Sequence, residues 1–377
     1  MNILFITEMF PEKDSYSGVF IKETALAAAK FHRVAVIHCS GDLKQNEKFT
    51  FAFSVEDNLQ ILRFKYKQIC FVSFFARRVK GTVMAFEELV SHGFKPDIIN
   101  ACVYKTGVAA NIIKNKYGIP YVLREGNSGY MRKTLNRFEV KRARVAMKNA
   151  DFILPVSAAQ EKAIRSYGIK GRFEVVRNVV PDYFFHASEL KNLSGTKKFL
   201  CVADMHPKKN IPNLINACNI LRMRRTDFAV DIVGEGKKME DYKKLVSQKS
   251  LENTVHFLGK KPKNEIAKMM QNADFFVLPS KYEPSGNVLV EALSCGLPVV
   301  ATNVGGIPEV INESNGALAE SGNSPELAEK MEWIMDNCNI YDREKISRDA
   351  RKKYSYDAIG RQLAAIYEKV LKEREKR

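Results

Sequence analysis

The sequence lacks several features that would assign it quickly to a class of protein. No CxxC pair occurs among the seven cysteines, and their number is odd, which argues against a zinc ribbon or a disulfide framework. No uninterrupted run of 18 apolar residues is present, so no transmembrane helix is expected. Only 21 glycines and 13 prolines occur in 377 residues, which excludes collagen-like and low-complexity chains. We therefore expect a cytoplasmic protein with reduced thiols, whose first residues form a strand and not an export signal.

What is present describes a globular protein. Hydrophobic residues make up 45% and charged residues 27% of the chain, which is enough apolar material for full cores and excludes intrinsic disorder. The length favours two domains of ordinary size. The six histidines show no HExxH motif or paired spacing, so no metal site is expected.

The chain carries a net charge of +17, and two segments hold much of the excess. Residues 61–80 contain six basic side chains, no acidic one and several aromatic residues, and residues 132–148 contain seven basic side chains with Glu139 as the single acid. Such patches suit an anionic membrane or a lipid-linked substrate, and they equally suit a solvated basic face above a core. No nucleic-acid-binding motif accompanies them, so we expect no nucleic acid partner.

Short buried strands alternate with amphipathic helices along the chain, a pattern that favours parallel sheets covered on both faces. Strands are predicted at residues 3–6, 34–37, 61–64, 97–100, 121–123, 152–155 and 174–176. After a polar stretch at 187–198, which suits a linker, further strands are predicted at 199–203, 229–233, 255–258, 275–279 and 299–301. We predict an α/β protein with two doubly wound Rossmann-like domains facing a cleft, where ligands meet the carboxyl ends of the strands.

One segment, residues 275–293, combines a strand, a loop and a helix start. Backbone N–H groups at the helix start favour a diphosphate, and Gly286 allows a ligand to approach the backbone. Glu283 and Glu291 flank this anion site, and carboxylates there fit as acceptors for hydroxyl groups of a sugar and a ribose. Ordinary chemistry of a helix start explains Glu283 equally well, so the residues alone leave both interpretations open.

The wider pattern around this segment resembles the family-four retaining glycosyltransferases, which have the GT-B fold. Glu283-x7-Glu291 is followed by Cys295-Gly296-Leu297-Pro298-Val299-Val300-Ala301-Thr302 and by Gly305-Gly306-Ile307-Pro308-Glu309. Further matching stretches are Phe10-Pro11 with Ser17-Gly18-Val19-Phe20, then Lys208-Lys209-Asn210, Val233-Gly234-Glu235-Gly236 and Phe257-Leu258-Gly259. The resemblance implies an acceptor-side domain at 1–188, a nucleotide-sugar-binding domain at 189–355, and a carboxyl-terminal helix at 356–377 that crosses back to the first domain.

The resemblance also implies residue roles. Glu283 would support the transferred sugar, with Glu125 and Asn127 as further catalytic candidates on the acceptor side. Lys209 would neutralise the leaving diphosphate and Glu291 would bind the ribose. The other residues expected to contact the donor are Gly18, Gly234, Ser285, Gly286, Asn287, Val288 and Leu289. The family has no metal motif, so neither a metal nor another cofactor is expected.

Two positions depart from the family's pattern. Asp204 stands where an arginine usually contacts the diphosphate, and a carboxylate 4 Å from a phosphate charge would cost about 4 kcal/mol at an effective dielectric constant of 20. Asp204 should therefore point away or be screened by Lys208 or His206. Gly126 stands where the family usually has a histidine after an acceptor-side strand. Either Glu125, Asn127 or a substrate phosphate would cover that role, or the acceptor is unusual.

The predicted function is transfer of a hexose, with retained anomeric configuration, from a UDP- or GDP-sugar to a glycan or lipid-linked acceptor. The basic first domain favours an acceptor at the inner face of the cell membrane, as in envelope polysaccharide or lipopolysaccharide synthesis. Two alternatives stay open: a sugar-nucleotide epimerase or hydrolase of the same fold, and a non-catalytic sugar-nucleotide-binding protein.

Overall fold

The chain folds into two compact units. A computed structural model describes residues 1–12, 17–44, 46–67, 71–185 and 195–376, and of residues 71–74 the backbone alone. The first unit comprises Met1–Val179 together with Tyr356–Arg377, and the second comprises Val180–Ser355. The boundary expected between residues 188 and 189, and most of the expected linker, fall outside the described residues, so they stay predictions.

A mixed sheet forms the centre of the first unit. Its strands within the described residues are β1 (Asn2–Thr7), β2 (Arg33–Asp42), β3 (Phe49–Glu56), β4 (Leu59–Lys67), β5 (Ile98–Cys102), β6 (Tyr121–Glu125) and β7 (Phe152–Pro155). They lie in the order β3-β4-β2-β1-β5-β6-β7. β3 runs antiparallel to β4, while the other neighbours are parallel. The sheet is therefore parallel, as expected, except at this edge, where the sequence predicts no strand.

Helices cover both faces of this sheet. They are α1 (Val19–Ala29), α2 (Phe71–Ser91), α3 (Tyr104–Tyr117), α4 (Arg137–Lys148) and α5 (Ala158–Arg165). Successive residues of a strand point to opposite faces, so Leu4 and Ile6 of β1 enter the core under α2, α3 and α4, while Ile3 and Phe5 enter the core under α1. Burial on both faces explains why this strand is a continuous apolar run.

The strand predicted at 174–176 does not form, and Pro155 gives the reason. Beside β7 the structure has a single bridge between Ile153 and Phe173. The N–H of Glu174 donates to the carbonyl of Ile153 at 3.0 Å, and the N–H of Val176 donates to that of Pro155 at 3.0 Å. A continued parallel ladder would need an N–H from Pro155, and proline has none.

The second unit contains a parallel sheet with helices on both faces. In chain order its elements are β8 (Lys197–Val202), α6 (Ile211–Arg222), β9 (Phe228–Val233), α7 (Met239–Gln248), β10 (Val255–Gly259), α8 (Lys263–Asn272), β11 (Phe275–Leu278), α9 (Asn287–Ser294), β12 (Val299–Thr302), β13 (Gly316–Ala319), α10 (Ser324–Asp336) and α11 (Arg343–Tyr354). The strand order is β10-β9-β8-β11-β12-β13, and all neighbours are parallel.

Each sheet has a point where the chain stops adding strands on one side and starts on the other. In the first sheet this switch point lies between β1 and β5, and in the second it lies between β8 and β11. Loops leave in opposite directions at such a point and open a crevice beyond the carboxyl ends of the strands, which is where open α/β sheets bind ligands.

The last helix, α12 (Tyr356–Glu375), returns to the first unit. Its apolar face buries five side chains in the core beneath α1: Ile359, Leu363, Ile366, Tyr367 and Val370. The Nδ2 of Asn100 in β5 donates to the Tyr367 hydroxyl at 2.6 Å. At roughly 1.5–3 kcal/mol for each buried apolar side chain, this face contributes on the order of 10 kcal/mol. The helix expected to cross back is therefore an integral layer of the first unit.

Candidate functional site

The loops at the switch point of the second sheet are held together by their backbones. The N–H of Lys281, after β11, donates to the carbonyl of Lys208, after β8, at 2.8 Å. The N–H of Gly306, after β12, donates to the carbonyl of Glu283 at 3.0 Å. Three adjacent strands thus end in loops whose positions depend on one another, which is how a rigid scaffold fixes functional side chains.

Gly286 sets the geometry at the start of α9. Its φ of 65° places it in the left-handed region, which glycine adopts without steric cost. Its N–H donates to Oε1 of Glu283 at 3.2 Å, and its carbonyl accepts from the N–H of Leu289 at 2.8 Å. Ser285 donates from its hydroxyl to Oδ1 of Asn287 at 2.6 Å. Val288 is half-buried and Leu289 lies in the core. The segment expected to bind the donor therefore forms the start of α9, and the N–H groups of Gly286 and Leu289 already donate hydrogen bonds within it.

A direct ion pair joins the two sides of this switch point. Lys209 lies in a short 3₁₀ helix (Pro207–Lys209) that follows β8, and its Nζ contacts Oε2 of Glu283. Both side chains are almost buried, with 14% and 11% of their surfaces exposed. The sequence named these two residues separately, and the structure brings them together.

Glu291 has a lysine partner of its own. Its Oε1 pairs with Nζ of Lys263 in the first turn of α8, and the Lys263 ammonium lies 5.7 Å from the ring centre of Phe184. The other carboxylate oxygen, Oε2, is buried and has no hydrogen-bond partner among the described residues. Sequence reasoning missed Lys263, because only the basic run Lys260-Lys261-Pro262-Lys263 could have pointed to it.

Gly234 follows β9, which neighbours β8 on the side away from β11, and Asp204 follows β8 itself. A Cβ on Gly234 would come within 1.9 Å of the carbonyl oxygen of Ala203, so this glycine is also required by backbone packing. Asp204 is exposed and no ion pair of it is found in the described part of the chain. His206 accepts at Nδ1 from the backbone N–H of Lys208 at 3.1 Å.

The remaining candidates belong to the first unit. Gly18 precedes α1 with a φ of 82°, and a Cβ there would lie 2.3 Å from the backbone of Met9. The loop after β1 thus packs directly on this glycine. Gly126 is exposed, and a Cβ there would meet a methyl group of Val156 at 3.3 Å, so a larger residue would require the Val156 side chain to shift slightly.

Glu125 ends β6 and is fully buried. It accepts from the N–H of Tyr104, the first residue of α3, at 3.0 Å and from the N–H of Asn127 at 2.9 Å. Burial raises the pKa of its carboxyl group to about 7, although these two N–H groups oppose the shift. Asn127 is half-buried, and its Oδ1 accepts from the N–H of Gly129 at 2.8 Å. Both oxygens of Glu125 therefore fasten the loop after β6 to the start of α3.

The two basic segments differ in the structure. In residues 61–80, Arg63 pairs with Glu56 at 2.7 Å, and Arg78 is 4% exposed and pairs with Glu8. This segment is therefore not one continuous basic face. In residues 132–148, by contrast, the cations of α4 are largely exposed and accompany Phe138 and Val145, which are 57% and 42% exposed.

Two classes of feature are not found in the described part of the chain. None of its helices is long and apolar enough to cross a membrane. Histidine, cysteine and acidic side chains do not gather there in a group of three or more that could hold a metal ion.

Comparisons with known proteins agree with this architecture. Residues 184–353 match the family model of the glycosyl transferases group 1. The chain is 29% identical over 275 residues to the glycosyltransferase MJ1178 of Methanocaldococcus jannaschii, covering 71% of this chain and 73% of the relative. It is 31% identical over 186 residues to the amylovoran biosynthesis glycosyltransferase AmsK of Erwinia amylovora, covering 47% and 46%.

A solved structure extends the likeness to the whole fold. The Anabaena protein Alr3699/HepE, in complex with UDP-glucose, superposes with a TM-score of 0.75 at 21% identity, covering 97% of this chain and 98% of that one. Two Rossmann-like units built in this way define the GT-B fold of glycosyltransferases. Residues 184–353, all within the second unit, are similar to the group 1 glycosyl transferases.

Proposed function

We propose that this protein is a retaining glycosyltransferase that moves a hexose from a UDP- or GDP-sugar to a glycan or lipid-linked acceptor. The observation that carries the proposal is the Lys209–Glu283 ion pair at the switch point of the second sheet, beside the start of α9. One relative is named for amylovoran biosynthesis, which supports a role in envelope polysaccharide or lipopolysaccharide synthesis. The UDP-glucose held by the similar Anabaena structure supports a nucleotide-sugar donor.

The ion pair supplies two charges that sugar transfer requires. A diphosphate gains negative charge as the bond to the sugar breaks, and an ammonium group at Lys209 stabilises that charge. The sugar gains positive charge at its anomeric carbon, and the carboxylate of Glu283 stabilises it while accepting hydrogen bonds from sugar hydroxyls. Charges held in place before the reaction act without the cost of reorganising solvent.

The second lysine–glutamate pair supports a ribose site. Lys263 engages Oε1 of Glu291, while Oε2 is buried without a partner in the described residues. A buried oxygen of this kind is costly to leave unsatisfied, and a ribose hydroxyl would donate to it. Gly234, which follows β9, would allow the donor to approach the backbone closely.

The same arrangement makes a metal unnecessary in the proposed reaction. Fixed cations and the N–H groups at a helix start supply the positive potential that a divalent ion would otherwise provide. We therefore propose transfer without a metal or other cofactor.

The two catalytic candidates on the acceptor side, Glu125 and Asn127, differ in their ability to transfer a proton and in their accessibility. A carboxyl group with a pKa near 7 suits proton transfer at neutral pH. Asn127 is the more accessible of the two and lies two residues further along the same loop. We propose that Asn127 contacts the acceptor and that Glu125 holds the loop in position.

We further propose that the protein works in the cytoplasm at the inner face of the cell membrane, with α4 as the contact. Arg137, Lys141, Arg144 and Lys148 follow helical spacing, and exposed Phe138 and Val145 accompany them. Cations with interleaved apolar side chains suit an anionic lipid surface.

A thermal-shift series with UDP, GDP, ADP and their sugar conjugates tests the donor. A ligand that binds the native state at 100 times its Kd stabilises it by about 2.7 kcal/mol. Formation of a glycosylated product from the radiolabelled donor would separate the transferase from its alternatives. Free sugar or an epimerised donor as the main product would indicate the hydrolase or epimerase, and binding without turnover would indicate a non-catalytic protein.

A further inference from the structure

Three cationic side chains of the first unit converge near the switch point of its sheet. Arg78 of α2 is 4% exposed, and its guanidinium carbon lies 4.9 Å from the ring centre of Phe75. The guanidinium carbon of Arg142 in α4 lies 3.9 Å from the same ring centre. The two carbons are therefore within about 9 Å of each other. Lys105, in the first turn of α3, reaches the same carboxylate that Arg78 contacts.

The acidic side chains nearby do not balance these cations one for one. Glu8, directly after β1, serves two of them: its Oε1 contacts Arg78 and its Oε2 lies 3.7 Å from Nζ of Lys105. No carboxylate within 4 Å of Arg142 is found in the described part of the chain.

The two other acids at this edge of the sheet are committed to other donors. Glu139 accepts from the N–H of Asn136 and from the Tyr104 hydroxyl. Glu125 accepts from two backbone N–H groups. Neither carboxyl group forms an ion pair with Arg142, so, among the described residues, Glu8 directly contacts two of the three cations and no carboxylate contacts the third.

The position of this cluster is that of a ligand site. Glu8 follows β1 and Lys105 follows β5, and these are the two strands that flank the switch point. Cations gathered at the carboxyl edge of an open α/β sheet are suited to bind an anion there. Arginine forms paired hydrogen bonds of about 2.8 Å with phosphate oxygens, so two guanidinium groups this close can share one phosphate.

We infer that the cluster Arg78, Lys105 and Arg142 binds a phosphate group of the acceptor. This inference rests on the proposed function, and it narrows the acceptor to one that carries a phosphate monoester or diester. A phosphate on a soluble sugar and a phosphate at the head of a lipid present the same chemistry to these side chains.

The test measures phosphate binding by the full-length protein at constant ionic strength. Two probes are used: sn-glycerol 3-phosphate, titrated by ³¹P NMR, and phosphatidylcholine vesicles with or without phosphatidic acid. All measurements are made in the Lys209→Gln background, because this substitution weakens the anion site of the second unit. Arg142→Gln removes one cation of the cluster without touching the buried Arg78–Glu8 pair.

Arg361→Gln is the matched control. Its guanidinium carbon also lies over a phenylalanine ring, 5.5 Å from the centre of Phe31, but it belongs to α12, whose core lies on the opposite face of the sheet. We expect Arg142→Gln to weaken phosphate binding about tenfold or more, as for loss of a charge-assisted hydrogen bond. We expect less than a twofold change for Arg361→Gln.

The outcomes distinguish a sugar phosphate from a lipid phosphate, and they test the phosphate site separately from the proposed function. An effect of Arg142→Gln on the soluble probe alone indicates a sugar phosphate. An effect on phosphatidic acid vesicles alone indicates a lipid phosphate if it exceeds that of Lys141→Gln, which removes an exposed cation from the same helix. Equal affinities of the two variants for both probes would overturn the inference. Nucleotide binding by the protein without any substitution is measured in parallel. If the protein bound no nucleotide, the proposed function would be wrong, whether or not the cluster binds phosphate.

Discussion

The raised pKa of Glu125 makes a quantitative prediction about stability. Burial moves the pKa of this carboxyl group from 4.5 to about 7 in the folded protein. Between these two values the folded state holds a proton that the unfolded state has lost, so the free energy of unfolding should fall as pH rises. At 1.36 kcal/mol for each pH unit, the loss between pH 4.5 and 7 amounts to about 3 kcal/mol.

Glu125→Gln should remove this dependence. The amide cannot ionise, so its contribution to stability does not depend on pH. Because it cannot accept from both backbone N–H groups, the free energy of unfolding of the variant is also lower by about 1–3 kcal/mol at every pH. Urea unfolding of both proteins from pH 4.5 to 7.5 gives the difference in free energy at each pH. We expect the wild-type advantage to be largest near pH 4.5 and to shrink, or reverse, by pH 7.

Two features of the chain sharpen this measurement. Trp333, the single tryptophan, lies in α10 of the second unit, so its fluorescence follows that unit while circular dichroism follows both. Glu375, exposed at the end of α12 in the first unit, provides the control Glu375→Gln, for which the pH profile should match wild type. A constant difference between wild type and Glu125→Gln across this range would refute the argument that burial governs this carboxyl group.

Four further predictions concern the reaction and its partners. Glu283→Gln should lower kcat by roughly 10²-fold or more, about 3 kcal/mol, whereas Glu291→Gln should mainly raise the donor KM; steady-state kinetics of folded variants with the opposite pattern would contradict the assigned roles. Lys263→Met should raise the donor KM several-fold at unchanged kcat, because Lys263 orients the Glu291 carboxylate that is proposed to bind the ribose. A loss confined to kcat would contradict this role of Lys263. Transfer should survive excess EDTA, and activity restored only by Mg²⁺ or Mn²⁺ would disprove metal independence. Sedimentation with anionic vesicles should fall as NaCl rises, and also when Lys141 and Lys148 are changed to Glu, because each cation contributes about 1 kcal/mol of binding free energy. Equal recovery with neutral vesicles would show that α4 is an ordinary solvated face.

Elements with a strong apolar pattern were predictable from the sequence, and the exceptions have local causes. β3 was missed, although Asp57 and Asn58 between it and β4 have φ values of 50° and 63°, as a two-residue hairpin turn requires. β13 was missed because Gly-Ala-Leu-Ala has little strand propensity. The false strand at 174–176 came from ignoring the missing N–H of Pro155, which lies in the neighbouring strand.

The candidate site shows a different limit. The motif identified Glu283 and Glu291 by their spacing on one loop and helix, and the family pattern supplied Lys209. Lys263 could not be assigned in this way, because its pairing with Glu291 depends on how α8 packs beside α9. The burial of Arg78 was likewise hidden, since a basic residue in a basic run predicts exposure until its partner, far away in the sequence, is known.

The return of α12 to the first unit has a consequence for the order in which the protein can fold during its synthesis. The first 179 residues leave the ribosome without the helix that covers one of their cores, and residues 180–355 must be made before it emerges. At roughly 5–20 residues per second, this delay is on the order of 10 s or more. For that time the apolar surface later shared with Ile359, Leu363 and Ile366 is open to chaperones and to other nascent chains. A gene truncated after Ser355 would leave it open permanently, so such a product should aggregate even though every residue of the second unit is intact.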